Sequence, residues 1–451
     1  LTGIDAVLAK AIQLCNPTAS EIRKITATAE KIKRSVEDQM SSEVSDVIFG
    51  GSFAKGTWLR GDADVDIFIR IKPDVSEERF EELGIQMGKA ALKRYEPQLR
   101  YSDHPYVEAI VDSIRVNVVP CYDVQKGQWK SAADRSPFHT QYIIQNLDDA
   151  KRNEVKLLKK FFKAAGVYGA EISTGGFSGY VSEVLVSKYG SFEAVLRAAV
   201  DMKQGQVIAI DNNYDSDLVK EFQSPVIIID PVDSRRNLGT AISRENFAKF
   251  IMVSRSFLER PSIQFFRRFK TWTNKRLYSN VLVIEFSHRQ RSPDTIWGQL
   301  KRSLNSVSKQ LEMAGFTVFR SSCVTDEKTS AAFAFLLESL TLPEITVRKG
   351  PEVSRRSDAE SFIVKANRPL AMWVDRDMRI STLVERKAVD ARKFTKSLLQ
   401  ENIDKSGVAK DMITGKIRIY SGIELKKTKC LAREATDELV STENLVFGGK
   451  I

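Results

Sequence analysis

The chain is poor in the residues that build metal centres and covalent frameworks. Its 451 residues include four cysteines (Cys15, Cys121, Cys323 and Cys430) and three histidines (His104, His139 and His288), all far apart in sequence. No cysteine pair has the C-x2-4-C spacing of a structural zinc site, and four thiols in a chain of this length make no disulfide framework. Histidines so scattered argue against a His-based metal centre. No apolar run approaches the ~18–20 residues that a membrane-spanning helix needs. The opening segment, LTGIDAVLAKAIQLC, has no basic stretch leading into an apolar one, so a secretory leader is not expected there. Internal repeats and low-complexity tracts are also missing. A reducing cytoplasm is the simplest compartment, with no membrane partner.

What the chain does have is charge, and the charge is unevenly placed. Apolar residues make up 42% and charged ones 28%, the balance of a globular protein. At roughly 100–200 residues per domain the length suggests two to four domains. Residues 258–451 hold 35 Lys+Arg against 23 Asp+Glu, a net of +12, whereas residues 1–257 hold 34 against 35, a net of −1. A basic half joined to a neutral one suggests that one part binds a polyanion and the other does chemistry.

Periodicity divides the neutral half. Residues 20–40 have helical spacing after a candidate cap at Ser20, and Ser76 opens a second helix. Between them lie a short apolar strand, a Gly-Gly-Ser turn and the alternating strand DVDIFIRI. A hairpin, YVEAIVDSIRVNVVPCY, follows, with Asp112-Ser113 near its turn. Mixed strands and helices in this order predict an α+β or α/β domain over roughly 1–145. Helical patterns dominate 146–257, interrupted by the strand PVIIID and the turn DPVDSRRN. Beyond 258 the texture is mixed again: strands at RLYSNVLVIEFSHR, GFTVFRS, TSAAFAFLLESL and PEITVRKG, and helices at SPDTIWGQLKRSLNSVSKQLEMA and from Leu383 to Glu401. Phe265, Phe266, Trp272, Phe286 and Phe335 are expected in cores.

The stretch that carries chemistry is Gly50-Gly51-Ser52 followed by Asp64 and Asp66. Side chains at i and i+2 of a strand face one side, so the two carboxylates project together while Val65 and Ile67 point inward. Paired carboxylates repel unless a cation neutralises them. Oxygen ligands favour Mg²⁺, which takes its remaining ligands from water and substrate phosphates. The glycines let backbone N–H groups approach a phosphate, and Ser52 adds a donor. On the later strand, Ile114 to Tyr122, the polar residue among the valines is Asn117.

The apolar strand, Gly-Gly-Ser, spacer and flanked Asp-x-Asp resemble the signature of the polymerase-β-type nucleotidyltransferases. That resemblance implies two metal ions bridging three acids and a nucleoside triphosphate, with the third acid at the place of Asn117. Asn offers one neutral carbonyl oxygen and a donor NH₂, so it is a weak Mg²⁺ ligand and no base at neutral pH. GGSFAKGTWLRGDADVDIF, SDHPYV, VNVVPCY, RSPFHT, NEVKLLKKFFKAAGVYGAE, GFSGYVSEVL and DPVDSRRN follow in this order. Together they resemble the archaeal-type (class I) CCA-adding enzymes, which are tRNA nucleotidyltransferases, most densely over 44–258.

The resemblance implies a polymerase-β-like palm (1–145), a mainly helical neck that recognises the nucleotide base (146–257) and a basic α/β body and tail that bind tRNA (258–451). It implies Asp64, Asp66 and Asn117 at the catalytic and metal positions, and CTP and ATP as substrates with Mg²⁺. Gly51, Ser52, His139, Lys159 and Tyr168 are implied as triphosphate and sugar contacts, and Arg236 as the reader of the incoming base. One Arg donating to cytosine N3 or adenine N1, with an acceptor for the amino group, would accept C and A and reject U and G. Asp230 either anchors that turn or merely initiates it. The tRNA acceptor stem and TΨC arm are the implied target, and a homodimer is compatible with the sequence. Two alternatives stand beside this expectation: another terminal RNA nucleotidyltransferase of poly(A) or oligoadenylate type, and an RNA-binding homologue without activity. With the other site residues kept, a loss confined to Asn117 points to an inactivated variant of an active enzyme.

Overall fold

A computed structural model describes residues 3–211, 214–267, 272–366, 368–425 and 431–442. Arg268, Lys270, Lys426, Lys427 and Lys429 of the basic segments lie outside these. The chain divides into two compact units, Leu1–Lys270 and Thr271–Thr442.

The first unit opens with helices α1 (Gly3–Cys15) and α2 (Ala19–Glu37). The cap of α2 is Thr18 rather than Ser20. Thr18 Oγ1 accepts the Glu21 amide and Glu21 accepts the Thr18 amide in return, which satisfies two donors that the first turn leaves free. Next come β1 (Val44–Gly50), α3 (Gly51–Lys55), β2 (Asp64–Ile71), α4 (Glu77–Leu92), β3 (Gln98–Tyr101), β4 (Pro105–Val111), β5 (Ile114–Tyr122) and α5 (Arg135–Asn146). The strands form one sheet in the order β1-β2-β5-β4-β3, with β2 and β5 parallel and the other pairs antiparallel. Asp112 and Ser113 both have positive φ, as the tight β4–β5 turn requires. Val65, Ile67 and Ile69 of β2 and Val116 and Val118 of β5 are fully buried, and they join Ile32 and Val36 of α2 and Phe80 and Met87 of α4 in one core. The opposite face of the sheet carries Asp66 and Asn117 beside Phe68 and Val119.

The remaining elements of this unit are α6 (Asp149–Ala165), α7 (Gly179–Tyr189), α8 (Phe192–Val200), β6 (Gln206–Ile208), α9 (Ser216–Glu221), β7 (Val226–Ile228) and α10 (Arg244–Glu259). Their core is rich in phenylalanine, including Phe161, Phe162, Phe177, Phe192, Phe250 and Phe257. Two features cross the segment bounds expected from sequence. Ala11 and Cys15 of α1 are buried in this second core, not against the sheet, and Phe265 and Phe266 extend the core past residue 258. The reason is packing: Phe266 has no exposed surface and lies among Phe161, Phe192 and Phe257.

The second unit contains β8 (Trp272–Thr273), β9 (Val281–Ser287), α11 (Pro293–Met313), β10 (Val318–Thr325), β11 (Ser330–Leu337), β12 (Ile345–Glu352), α12 (Arg356–Lys365), β13 (Ala371–Val374), β14 (Arg379–Glu385), α13 (Ala391–Gln400), α14 (Ile403–Ser406), β15 (Arg418–Ser421), α15 (Leu431–Leu439) and β16 (Ser441–Thr442). Its sheets run β10-β11-β9-β15 and β12-β14-β13. Residues 383–401 are not one helix: Leu383, Val384 and Glu385 finish β14, all three paired with β12 and Leu383 also with β13, and α13 begins only after the Asp390 cap. Phe286 and Phe335 are core residues as expected, but Trp272 is exposed, on a two-residue strand paired only with β16.

Candidate active site

The site lies on the face of the five-stranded sheet that carries Asp66 and Asn117. Strand pairing sets Gly50 opposite Asp66, and Asp66 opposite Asn117, so three neighbouring strands present these positions in one row. Asp64 is one alternation away, opposite Arg115, whose guanidinium approaches it at 3.8 Å. Gly51 begins the turn after β1 with φ +61, a conformation that glycine tolerates best. A Cβ built on Gly51 would lie 1.8 Å from Asp66 Oδ2, so only glycine lets this carboxylate sit against the turn. Ser52 follows in α3.

The two acids fit a divalent cation. Burial raises the pKa of Asp64, and the neighbouring Asp66 charge adds to it against the pull of Arg115. Asp66 is raised by burial more than the Asn117 hydrogen bond lowers it. Both shifts are those of carboxylates short of positive charge. Asn117 fits less well. Its Nδ2 donates to Asp66 Oδ1 at 2.9 Å, blocking an oxygen that a cation would use, while its own Oδ1 is buried without a partner.

The other expected contacts come from the helices beyond the sheet. Lys159 is no exposed helix lysine: it is 2% exposed, and its Nζ lies 3.1 Å from Glu183 Oε1 and 3.0 Å from Thr57 Oγ1. Lys55, on α3, reaches the other Glu183 oxygen at 2.8 Å. One buried carboxylate thus serves two ammonium groups and the Thr57 hydroxyl. Burial alone would raise Glu183, but Lys159 and Lys55 hold its pKa at about 2. Burial lowers Lys159, opposed by Glu183. Tyr168 lies beside this group. A Cβ on Gly179 would stand 3.0 Å from its hydroxyl and 3.4 Å from Lys159 Nζ.

His139, the fifth residue of α5, is buried and stacks on Tyr180 with ring centroids 4.0 Å apart. Its Nε2 is 2.8 Å from Asp230 Oδ2. Asp230 is fully buried; it also accepts the Val232 amide at 2.9 Å and the Tyr180 hydroxyl at 3.2 Å, and lies 3.5 Å from Arg236 Nη1. Asp230 therefore anchors the turn and is more than an initiator of it. Asn237 fixes the same turn, accepting the Ile228 and Gly239 amides. Arg236 keeps 43% of its side chain exposed.

The structure thus joins Gly51, Asp64, Asp66 and Asn117 in one group, Lys159 and Tyr168 in a second, and His139 with Arg236, through Asp230, in a third. Sequence reasoning missed Lys55, Thr57, Tyr180 and Glu183. For Glu183 a signal existed, since a carboxylate within the apolar run GYVSEVLV must find a buried partner. Among the described residues Glu77, Glu81 and His104 form another group of potential ligand atoms, and His104 lines the same cavity as Asp66 and Asn117.

Comparison with known proteins agrees along most of the length. Residues 29–143 match the nucleotidyltransferase domain, 153–267 the second domain of tRNA nucleotidyltransferases, and 279–422 the C-terminal domain of CCA-adding enzymes. The chain is 33% identical to the CCA-adding enzyme of Pyrobaculum islandicum, over 95% of this chain and 99% of that one. It is 35% identical to that of Saccharolobus shibatae, over 85% and 90%. A solved structure of the Cid1 poly(U) polymerase bound to MgATP aligns with 59% of this chain and 99% of that one, at 13% identity and a TM-score of 0.49.

Proposed function

Because the chain belongs to the CCA-adding enzymes, tRNA nucleotidyltransferases, we propose that the row of Gly51, Asp64, Asp66 and Asn117 is its reaction centre and that Asn117 impairs it. The enzyme adds C-C-A to tRNA 3′ ends from nucleoside triphosphates. The observation that carries the site assignment is the register that sets Gly50, Asp66 and Asn117 side by side on three strands.

Asp64 and Asp66 would hold Mg²⁺, which when bound neutralises the phosphates and polarises the phosphorus under attack. Gly51 keeps side-chain bulk away from that place and Ser52 offers a hydroxyl to the triphosphate. Lys159, held charged by Glu183, supplies positive charge beside it, and Tyr168 a directional donor. Arg236 donates to the ring nitrogen shared in kind by cytosine and adenine, with its guanidinium steadied by Asp230. Asn117 stands where the attacking tRNA hydroxyl would need a carboxylate. It can neither take the proton nor bring a second ion close, and its amide competes for Asp66.

On this reading residues 1–145 act as palm, 146–257 as neck and 258–451 as a basic body and tail. The +12 charge of residues 258–451 suits the phosphate-dominated docking of the tRNA acceptor stem and TΨC arm. The described residues contain no helix long and apolar enough to cross a membrane. The test is incubation of tRNAs lacking CCA, ending in C-C, or mature with each labelled triphosphate. C, then A, then nothing is the expected order; A added to every end would refute it. Asn117 also favours a second reading, an RNA-binding homologue without turnover, for which no triphosphate would be incorporated even after Asn117→Asp.

A further inference from the structure

Every acceptor position of Asp230 faces a donor: the Val232 amide, the Tyr180 hydroxyl, His139 Nε2 and, at longer range, Arg236. A carboxylate in this setting is ionised and can only accept, so the hydrogen of the 2.8 Å contact belongs to His139 Nε2. A neutral imidazole carries a single N–H. Nδ1 is thereby left as a lone pair, with no protein hydrogen bond to it among the described residues. A lone pair repels a phosphate oxygen. A ring in this tautomer cannot donate from Nδ1 to a triphosphate.

We infer that the His139–Asp230 pair is a proton-linked triphosphate clamp: binding of the nucleotide draws one proton from solvent onto Nδ1, so that Nε2–H stays on Asp230 and Nδ1–H is given to a phosphate oxygen. The inference rests on the reading of His139 as a triphosphate contact, which the family resemblance implies. It adds the tautomer, the proton count and a positioning role for Asp230. The groups facing the ring support it. Burial holds the ring below the ordinary histidine pKa, Asp230 pulls the other way, and Lys55 of α3 and Arg236 of the turn repel its proton. Tyr180 of α7 stacks on the ring and donates to Asp230, so it brings no negative charge. A triphosphate brings the negative charge that offsets both cations. By linkage, a ligand that raises the ring's pKa binds more tightly at lower pH, by at most about tenfold per pH unit.

The test is calorimetry of CTP binding to the full chain with Mg²⁺ and without tRNA, repeated in buffers of low and high ionisation enthalpy at about pH 7.5. Wild type should take up close to one proton (~1) more per CTP than His139→Gln. Any proton change at Asp64 and Asp66 is common to both proteins and cancels in that difference. Asp230→Asn should bind CTP without the uptake, because its amide can donate to Nε2 and turn the ring to the Nδ1–H tautomer. The chain has three histidines, so imidazole NMR of the wild type gives a second readout that needs no variant: His139 should pass from the Nε2–H form to imidazolium as CTP is added. CTP bound with equal proton uptake in wild type and His139→Gln, or with His139 still neutral, overturns the inference and leaves the nucleotide site standing. Failure of wild type to bind CTP overturns both.

Discussion

Glu183→Ala is predicted to be among the most destabilising substitutions near the site. Glu183 is 1% exposed and its two oxygens face Lys55 at 2.8 Å and Lys159 at 3.1 Å. Removing it strands two ammonium groups in a dry pocket. Breaking a buried ion pair from one side costs about 3–5 kcal/mol, because the remaining charge keeps its desolvation penalty. The carboxyl's own titration gives a similar size. A folded pKa of about 2 against an ordinary 4.5 corresponds to about 3 kcal/mol at neutral pH. The penalty of burying Lys159 offsets part of this. It is already present at neutral pH in the intact protein, since a lowered lysine pKa destabilises below that folded value. The sign with pH follows. A depressed carboxyl stabilises above its unfolded pKa, so the gap between wild type and Glu183→Ala should be constant from pH 7 down to about 4.5 and close as pH falls toward 2. At about 2–4 °C per kcal/mol, the midpoint of thermal unfolding should drop by roughly 6–20 °C at pH 7. Lys159→Met should cost less, because Glu183 keeps Lys55 and Thr57. Circular dichroism melts from pH 7 to pH 2 decide. A loss under about 1 kcal/mol, or a gap that does not narrow in acid, would refute the reasoning.

Two further substitutions probe the reaction centre and the base reader. Gly51→Ala forces a methyl onto Asp66 Oδ2 and strains a left-handed residue. It should lower kcat for nucleotide addition by at least ~10-fold with a stability loss of about 1–3 kcal/mol, read by single-turnover kinetics and melts. Arg236→Lys keeps the charge but loses the planar fork, so the preference for CTP and ATP over UTP and GTP should fall by about 1–3 kcal/mol, ~10- to 100-fold, in competition assays.

Much of the palm was legible because strand alternation ties sequence to geometry. The spacing of Asp64 and Asp66, the Gly-Gly-Ser turn and the hairpin at Asp112-Ser113 each fix a local shape, and the register of β2 on β5 then places Asn117 beside Asp66. The helical cap at Ser76 is equally local. What escaped depends on partners distant in sequence. Lys159 was expected at the triphosphate but its burial was not, because Glu183 and Thr57, which enclose it, lie 24 and 102 residues away. Asp230 could not be distinguished from a simple turn residue without His139, 91 residues earlier. The stretch from Leu383 to Glu401 reads as one helix only if the strand partners of Leu383 and Val384 are unknown. Trp272 was placed in a core by its size, yet a two-residue edge strand gives it nothing to be buried against.

The account stands most directly on Asn117. Asn117→Asp removes the 2.9 Å donation to Asp66 and restores a carboxylate at the row's third place. Supplying several kcal/mol of stabilisation to the attacking hydroxyl corresponds to ~10²–10⁴-fold in rate. The decisive measurement is single-turnover addition of labelled CTP, and then ATP, to tRNA lacking its CCA end, comparing the chain with its Asn117→Asp form at saturating Mg²⁺. The expected result is a rise of that size in the substituted form, with mature tRNA left unextended by both. Equal rates in the two forms would contradict the place assigned to Asn117.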